Sequence, residues 1–154
     1  MRCIRPALAL LAAPLLFVFC LRADNKPVLT GNWELNPASS PGQEGKTITL
    51  TIDNSSDTVK VTQVVRDKDG KETTYQFTCA TGGGECEFDD GGHKAKVTLW
   101  YSGPSLVVLT TDGPKEDASN EWTLKLSPDS KTLTLLLEHI DPESKSETLV
   151  FNKK

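Results

Sequence analysis

The sequence predicts an all-β protein, an antiparallel up-and-down meander of eight or nine strands closed into a barrel. Three observations carry this. Apolar residues recur at every second position, the period of a half-buried strand. Turn residues fall between these runs at short intervals. No window of twelve residues shows an apolar face spaced three and four apart.

Each strand has its own pattern. Strands are expected near 29–35, 46–53, 58–66, 71–80, 93–101, 105–111, 119–127, 131–140 and 146–152, with a short extra one at 85–88. Across 47–52, Ile48, Leu50 and Ile52 alternate with threonines. Val59 and Val61 continue the pattern, and Tyr75, Phe77 and Cys79 alternate with Thr74, Gln76 and Thr78. Ala95, Val97, Leu99 and Tyr101 form the next stripe, which leaves Trp100 on the polar face. Trp122, Leu124 and Leu126 follow, then Leu133, Leu135 and Leu137, and Leu149 and Phe151 close the chain. Asp67-Lys68-Asp69-Gly70 reads as a hairpin turn, and Ser102-Gly103-Pro104, Asp112-Gly113-Pro114, Ser127-Pro128-Asp129-Ser130 and Asp141-Pro142-Glu143-Ser144 are further breaks. A meander must protect its edge strands, and closure into a barrel removes them. A sandwich is the alternative, but it calls for crossing connections that these short loops do not favour.

The N-terminus has the layout of an export signal over 1–23. Arg2 and Arg5 make a basic start, thirteen apolar residues from 7 to 19 follow, and Arg22 and Asp24 end the run. The run is too short to span a bilayer, which takes roughly twenty residues. Ala23 is the expected cleavage point, leaving 24–154 as one domain that is periplasmic or extracellular. Cys20 opens a rival arrangement, in which acylation anchors the chain to a membrane, although Phe19 precedes it where a small residue is usual. Removing 1–23 takes away three arginines and no acid, so 17 basic residues become 14 against 21 acidic ones and the net charge moves from -4 to -7. That balance argues against nucleic acid or an anionic membrane as partner, because both attract a basic face.

Export leaves Cys79 and Cys86 as an even pair in an oxidising compartment, which predicts a disulfide across the glycine-rich stretch 82–84. A metal is the weaker reading, since two thiols without CxxC spacing make a thin ligand set.

Thr30-Gly31-Asn32-Trp33-Glu34-Leu35-Asn36-Pro37 follows the signal almost at once, with Ser40 three residues on. This Gly-x-Trp opening resembles that of the lipocalin and calycin barrels, and more closely that of small exported bacterial lipocalin-like proteins. The resemblance implies a barrel with Trp33 capping one end and Gly31 letting backbone pass close to a neighbour. It also implies an Arg from the last strand over that Trp. Here the chain departs: the end reads Phe151-Asn152-Lys153-Lys154, and Arg66 is the only Arg outside the signal, so Lys153 is the expected substitute.

Catalytic chemistry has little to stand on. Gly-x-Ser-x-Gly, His-Glu-x-x-His and P-loop motifs are absent, and no cofactor is implied. Glu138 and His139 are adjacent, but alternation sends them to opposite faces. Glu85, Glu87, Asp89, Asp90 and His93 form an acidic cluster without calcium-loop spacing. The expectation is therefore a non-enzymatic barrel that binds a small apolar or amphipathic ligand. Tyr75, Phe77, Leu99, Tyr101, Trp122, Leu124, Leu135, Leu137 and His139 are the candidate lining, each of which also suits a filled core. The alternative is a protein-interaction or inhibitor module with a packed barrel, in which the outward Trp100 is the contact for a protein partner.

Overall fold

The computed structural model describes residues 26–55, 57–89, 94–112, 117–140 and 144–154. The alternating runs become ten antiparallel strands: β1 (Gly31–Leu35), β2 (Thr47–Asn54), β3 (Thr58–Arg66), β4 (Glu72–Ala80), β5 (Gly82–Asp89), β6 (Lys94–Ser102), β7 (Ser105–Asp112), β8 (Asp117–Leu126), β9 (Thr132–His139) and β10 (Lys145–Lys153). Each pairs with the next, and β1 pairs with both β2 and β10, which closes the sheet into a barrel. The segment 1–23 and Cys20 lie outside the described residues, as does His93.

The strand count exceeds the expected eight or nine because β5 is a full strand. Its three glycines read as a loop in the sequence, yet Gly82 already pairs with Trp100 of β6. The ladder then shifts register between Gly82 and Glu85, where Gly83 takes a φ of +80° that favours glycine. Trp100 stands beside Gly82, a large ring next to a position with no side chain of its own. It is half-buried on the outer wall, next to the buried Val107 of β7.

Turn chemistry matches the sequence. The Asp67 carboxylate accepts from the backbone N–H of Asp69 and Lys71, both at 2.9 Å, and Gly70 takes a φ of +82°. That carboxylate therefore shapes a hairpin, as Asx turns do.

The N-terminal strap seals one end of the barrel. Trp33 and Leu29 are fully buried, and the Trp33 indole N–H donates to the Leu29 carbonyl at 3.0 Å. The Lys153 ammonium lies 5.4 Å from the Trp33 ring centroid, so Lys153 takes the place expected of an arginine. Gly31 makes room for it: a Cβ there would sit 3.1 Å from Lys153 Cε, and the residue's φ of +151° suits glycine. Nearby, the Tyr101 hydroxyl donates to Asn54 Oδ1 at 3.0 Å, and Asn54 in turn donates to the Pro27 carbonyl. Burial pushes the Tyr101 phenol up, against the lowering effect of that hydrogen bond.

Ser40 explains the far end of the Gly-x-Trp string. It is fully buried in the link after the short 3₁₀ helix Pro37–Ser39, and its hydroxyl accepts from the Val150 N–H at 2.9 Å. Asn36 N–H donates to the Val150 carbonyl at 2.7 Å. Together these prolong the short β1–β10 pairing.

The weak seam lies between β4 and β5. Their ladder has a single pair, Gln76 with Asp89, whereas β3 and β4 pair without a break from Thr58–Ala80 to Arg66–Glu72. The Cys79–Cys86 disulfide spans this seam, with Cα atoms 5.5 Å apart. The bond is the one expected, but it staples two strands rather than merely closing a loop. Replacing both cysteines by serine is expected to lower stability by about 2–3 kcal/mol, the chain-entropy value for so short a loop. Urea unfolding under non-reducing conditions checks this, and amide exchange should accelerate first along β4 and β5.

Candidate functional site

The barrel interior has two halves. At the sealed end, inward side chains from every wall pack tightly, among them Leu50, Ile52, Val59, Leu99, Leu106, Leu124, Leu133, Leu135 and Phe151, all at 0–1% exposure. At the other end, where β3, β7 and β9 finish and β2, β4, β8 and β10 begin, a cavity of about 370 Å³ opens to solvent. That volume lies at the small end of ligand pockets, roughly 300–1,000 Å³.

Aromatic rings divide the halves. Phe77 on β4 meets Trp122 on β8 edge-on, with centroids 6.4 Å apart across the lumen. Phe88 on β5 meets Phe77 edge-on at 6.0 Å and stacks with Tyr75 at 6.1 Å. Offset-stacked and edge-to-face contacts at these distances are the favoured aromatic geometries. Ile48, Val65, Leu137 and Leu149 continue the apolar lining above this layer.

Polar side chains ring the upper wall: Gln43, Lys46, Gln63, Thr110, Asn120, His139 and Glu147. Gln43, at 7% exposure, is the hub of the rim. It donates to Glu147 Oε2 at 3.2 Å and accepts from the Lys46 ammonium at 3.4 Å. Lys145 donates to Glu147 Oε1 at 2.8 Å. That Lys145 hydrogen bond, with the charges of Lys145, His139 and Lys46, holds the Glu147 carboxyl below its ordinary value although burial pushes it up. The connection between β1 and β2 is thereby tied to β10 at two points, by Ser40 at its start and by Gln43 near its end.

Of the nine candidate lining residues, Tyr75, Trp122, Leu137 and His139 border the cavity. Phe77 closes its floor from below. Leu99, Leu124 and Leu135 belong to the packed half, at 0–1% exposure. Tyr101 lies at the sealed end, in a separate hollow with Lys26, Pro27 and Asn54. These four share the inward face with the cavity residues but sit too far down the barrel to line it. Glu138 is exposed while His139 faces the cavity, so the two do not converge. Among the described residues, no group of three or more His, Cys, Asp or Glu is placed to hold a metal.

Sequence reasoning missed the rest of the lining, with Gln43, Lys46, Gln63, Phe88 and Glu147 among it. Gln63, Phe88 and Glu147 occupy inward positions of their strands, and strand polarity was the available signal: they fall at the end that each alternating strand brings to one side. Gln43 sits in a loop, where no periodicity marks it.

No known protein-family model matches the sequence, and no curated protein matches it. The structure does have solved counterparts. It is similar to the "REP1-NXSQ fatty acid transporter", with a TM-score of 0.62 and 14% identity over 82% of this chain and 96% of that one. It is also similar to wild-type fluorescent protein UnaG, with a TM-score of 0.56 and 16% identity over 81% of this chain and 96% of that one. A third is the zebrafish ileal bile acid-binding protein complexed with cholic acid, with a TM-score of 0.50 and 18% identity over 81% and 96% of the two chains. At these identities the likeness is one of fold, and the fold is the calycin-type β-barrel that the Gly-x-Trp opening implies.

The Glu147 tie has a pH signature. A carboxyl held below its ordinary value of 4.5 adds stability above that value and loses it as pH falls through the lower folded value. The unfolding midpoint should hold steady from neutral pH to about 5 and drop below about 4. Glu147→Gln should cost up to about 1 kcal/mol at neutral pH, the scale of a partly exposed ion pair, and flatten part of the acid limb. Urea midpoints across this range check both.

Proposed function

We propose that this chain is an exported, non-catalytic β-barrel that binds a small apolar or amphipathic molecule in the cavity at its open end. The observation that carries this is the cavity itself, about 370 Å³, with an aromatic and aliphatic base under a polar rim. A mostly apolar hollow with a few converging polar groups is the form of a small-molecule site. The fold counterparts named for a fatty acid transporter and for a bile acid-binding protein support the same reading by analogy of fold. The packed-barrel, protein-binding alternative is weaker on this geometry. Trp100 is half-covered, and the large apolar side chains exposed among the described residues, Val28 and Ile140, stand apart at opposite ends.

Export belongs to the same proposal. Residues 1–23 serve as the signal, and the mature chain starts at Asp24. The Cys79–Cys86 bond suits an oxidising compartment. Acylation at Cys20 would instead leave the barrel tethered to a membrane.

A small uncharged apolar dye such as 1-aminonaphthalene tests the site. Its fluorescence should rise on binding, and Leu137→Trp, which fills the cavity, should cut that rise at least about tenfold. Trp100→Ala on the outer wall should leave it unchanged. A dye signal indifferent to Leu137→Trp overturns the proposed site. The intact mass of the exported protein should correspond to a start at Asp24 with two hydrogens missing for the disulfide. A diacylglyceryl adduct on Cys20 overturns the start at Asp24 and leaves the barrel tethered to a membrane.

A further inference from the structure

We infer that the ligand is a compact, planar aromatic compound with hydrogen-bonding groups on its edge, and not a long-chain lipid. This rests on the ligand-binding reading above and narrows it.

The first argument is depth. A long acyl chain needs a path down the barrel axis, and the Phe77–Trp122 contact lies across that path. Beneath it, Val61, Leu99, Leu124 and Leu135 are at 0–2% exposure, so the lower half is already filled. Side chains packed at crystal-like density do not yield a channel without rearrangement.

The second argument is size. The cavity, about 370 Å³, lies at the small end of ligand pockets and is closed below, so it suits a compact molecule better than hexadecanoate, whose chain would lie partly in water, where apolar surface gains nothing.

The third argument is the chemistry of the walls. Trp122, Tyr75 and Phe88 present ring faces and edges to the cavity, and such surfaces favour another ring over a saturated chain. Beside them, the Gln63 amide, the Tyr75 hydroxyl and the His139 imidazole make no hydrogen bond to any described residue. Each of the three both donates and accepts. They are placed to meet polar groups on the edge of a flat ligand, while the Glu147 carboxylate at the rim is already taken by Gln43 and Lys145.

Three probes of matched logic test this by calorimetry on the full mature chain: naphthalene-2-carboxamide, its saturated decahydro counterpart, and hexadecanoate. The planar amide should bind roughly tenfold more tightly than either of the others, the scale of one added aromatic contact. Trp122→Leu should shrink that preference to about threefold or less, and Trp122→Phe should keep most of it. Phe77→Leu, which thins the floor, should raise hexadecanoate affinity while leaving the sealed end intact. Hexadecanoate binding the wild-type chain as tightly as the amide overturns the inference and leaves the ligand-binding reading standing. The saturated amide binding equally well does the same. If none of the three binds and the apolar dye does not either, the ligand-binding reading itself falls, and this inference falls with it.

Discussion

Ring closure rests on β1, a strand of five residues. Without it the other nine strands form an open meander whose first and last members, β2 and β10, expose unpaired backbone. So short a strand supplies few ladder bonds, and the molecule adds to them. Trp33 buries its whole indole and ties it to the Leu29 carbonyl, while Lys153 lies over its face in space that Gly31 leaves open. Ser40 and Asn36 then hold Val150 beyond the point where regular pairing stops. The Gly-x-Trp string and its trailing Ser40 are thus one closure device. Its chemistry is burial and hydrogen bonding, not substrate contact.

Sealing one end decides what the other end can be. Inward positions are shared by two tasks, and residue size and polarity allot them. β9 offers Leu133, Leu135, Leu137 and His139 in that order from the sealed end upward, and β8, running the other way, offers Asn120, Trp122, Leu124 and Leu126. β10 shows the same gradient, from Phe151 to Glu147, whereas on β3 Gln63 interrupts an apolar face that resumes at Val65. Aliphatic side chains fill the lower layers and leave no room. A layer of aromatic rings ends the filling, and above it polar residues stand where solvent can reach them. The cavity therefore opens where the aromatic layer ends the filling and polar side chains join the remaining apolar ones, Ile48, Val65, Leu137 and Leu149.

Two local features stabilise this arrangement where the sheet is weak. The β4–β5 seam has almost no ladder, and the Cys79–Cys86 bond replaces hydrogen bonds that the strands do not make. At the rim, Gln43, Lys46, Glu147 and Lys145 form a small polar network that fixes the β1–β2 connection over the start of β10. The disulfide lies towards the sealed end, beside the buried Val59, whereas the rim network borders the cavity, so only the second also defines the edge of the site.

The sequence by itself determined the all-β class, the nearest-neighbour order, the inward face of the strands that alternate, the cysteine pairing and the structural part played by Gly31 and Trp33. Period-two alternation carries that information locally, because it reports which side of the sheet a residue faces. It does not report height along the barrel. Leu135 and Leu137 look alike in the chain, yet one is packed and the other borders the cavity, and Tyr75 and Tyr101 are separated in the same way. The triglycine read as a loop because the alternation vanishes where side chains vanish, although the backbone continues as β5. Gln43 carried no periodic mark at all. Height, strand count and the rim network were settled by the tertiary structure alone, since they depend on how ten strands are staggered against one another and on which side chains happen to meet across the lumen.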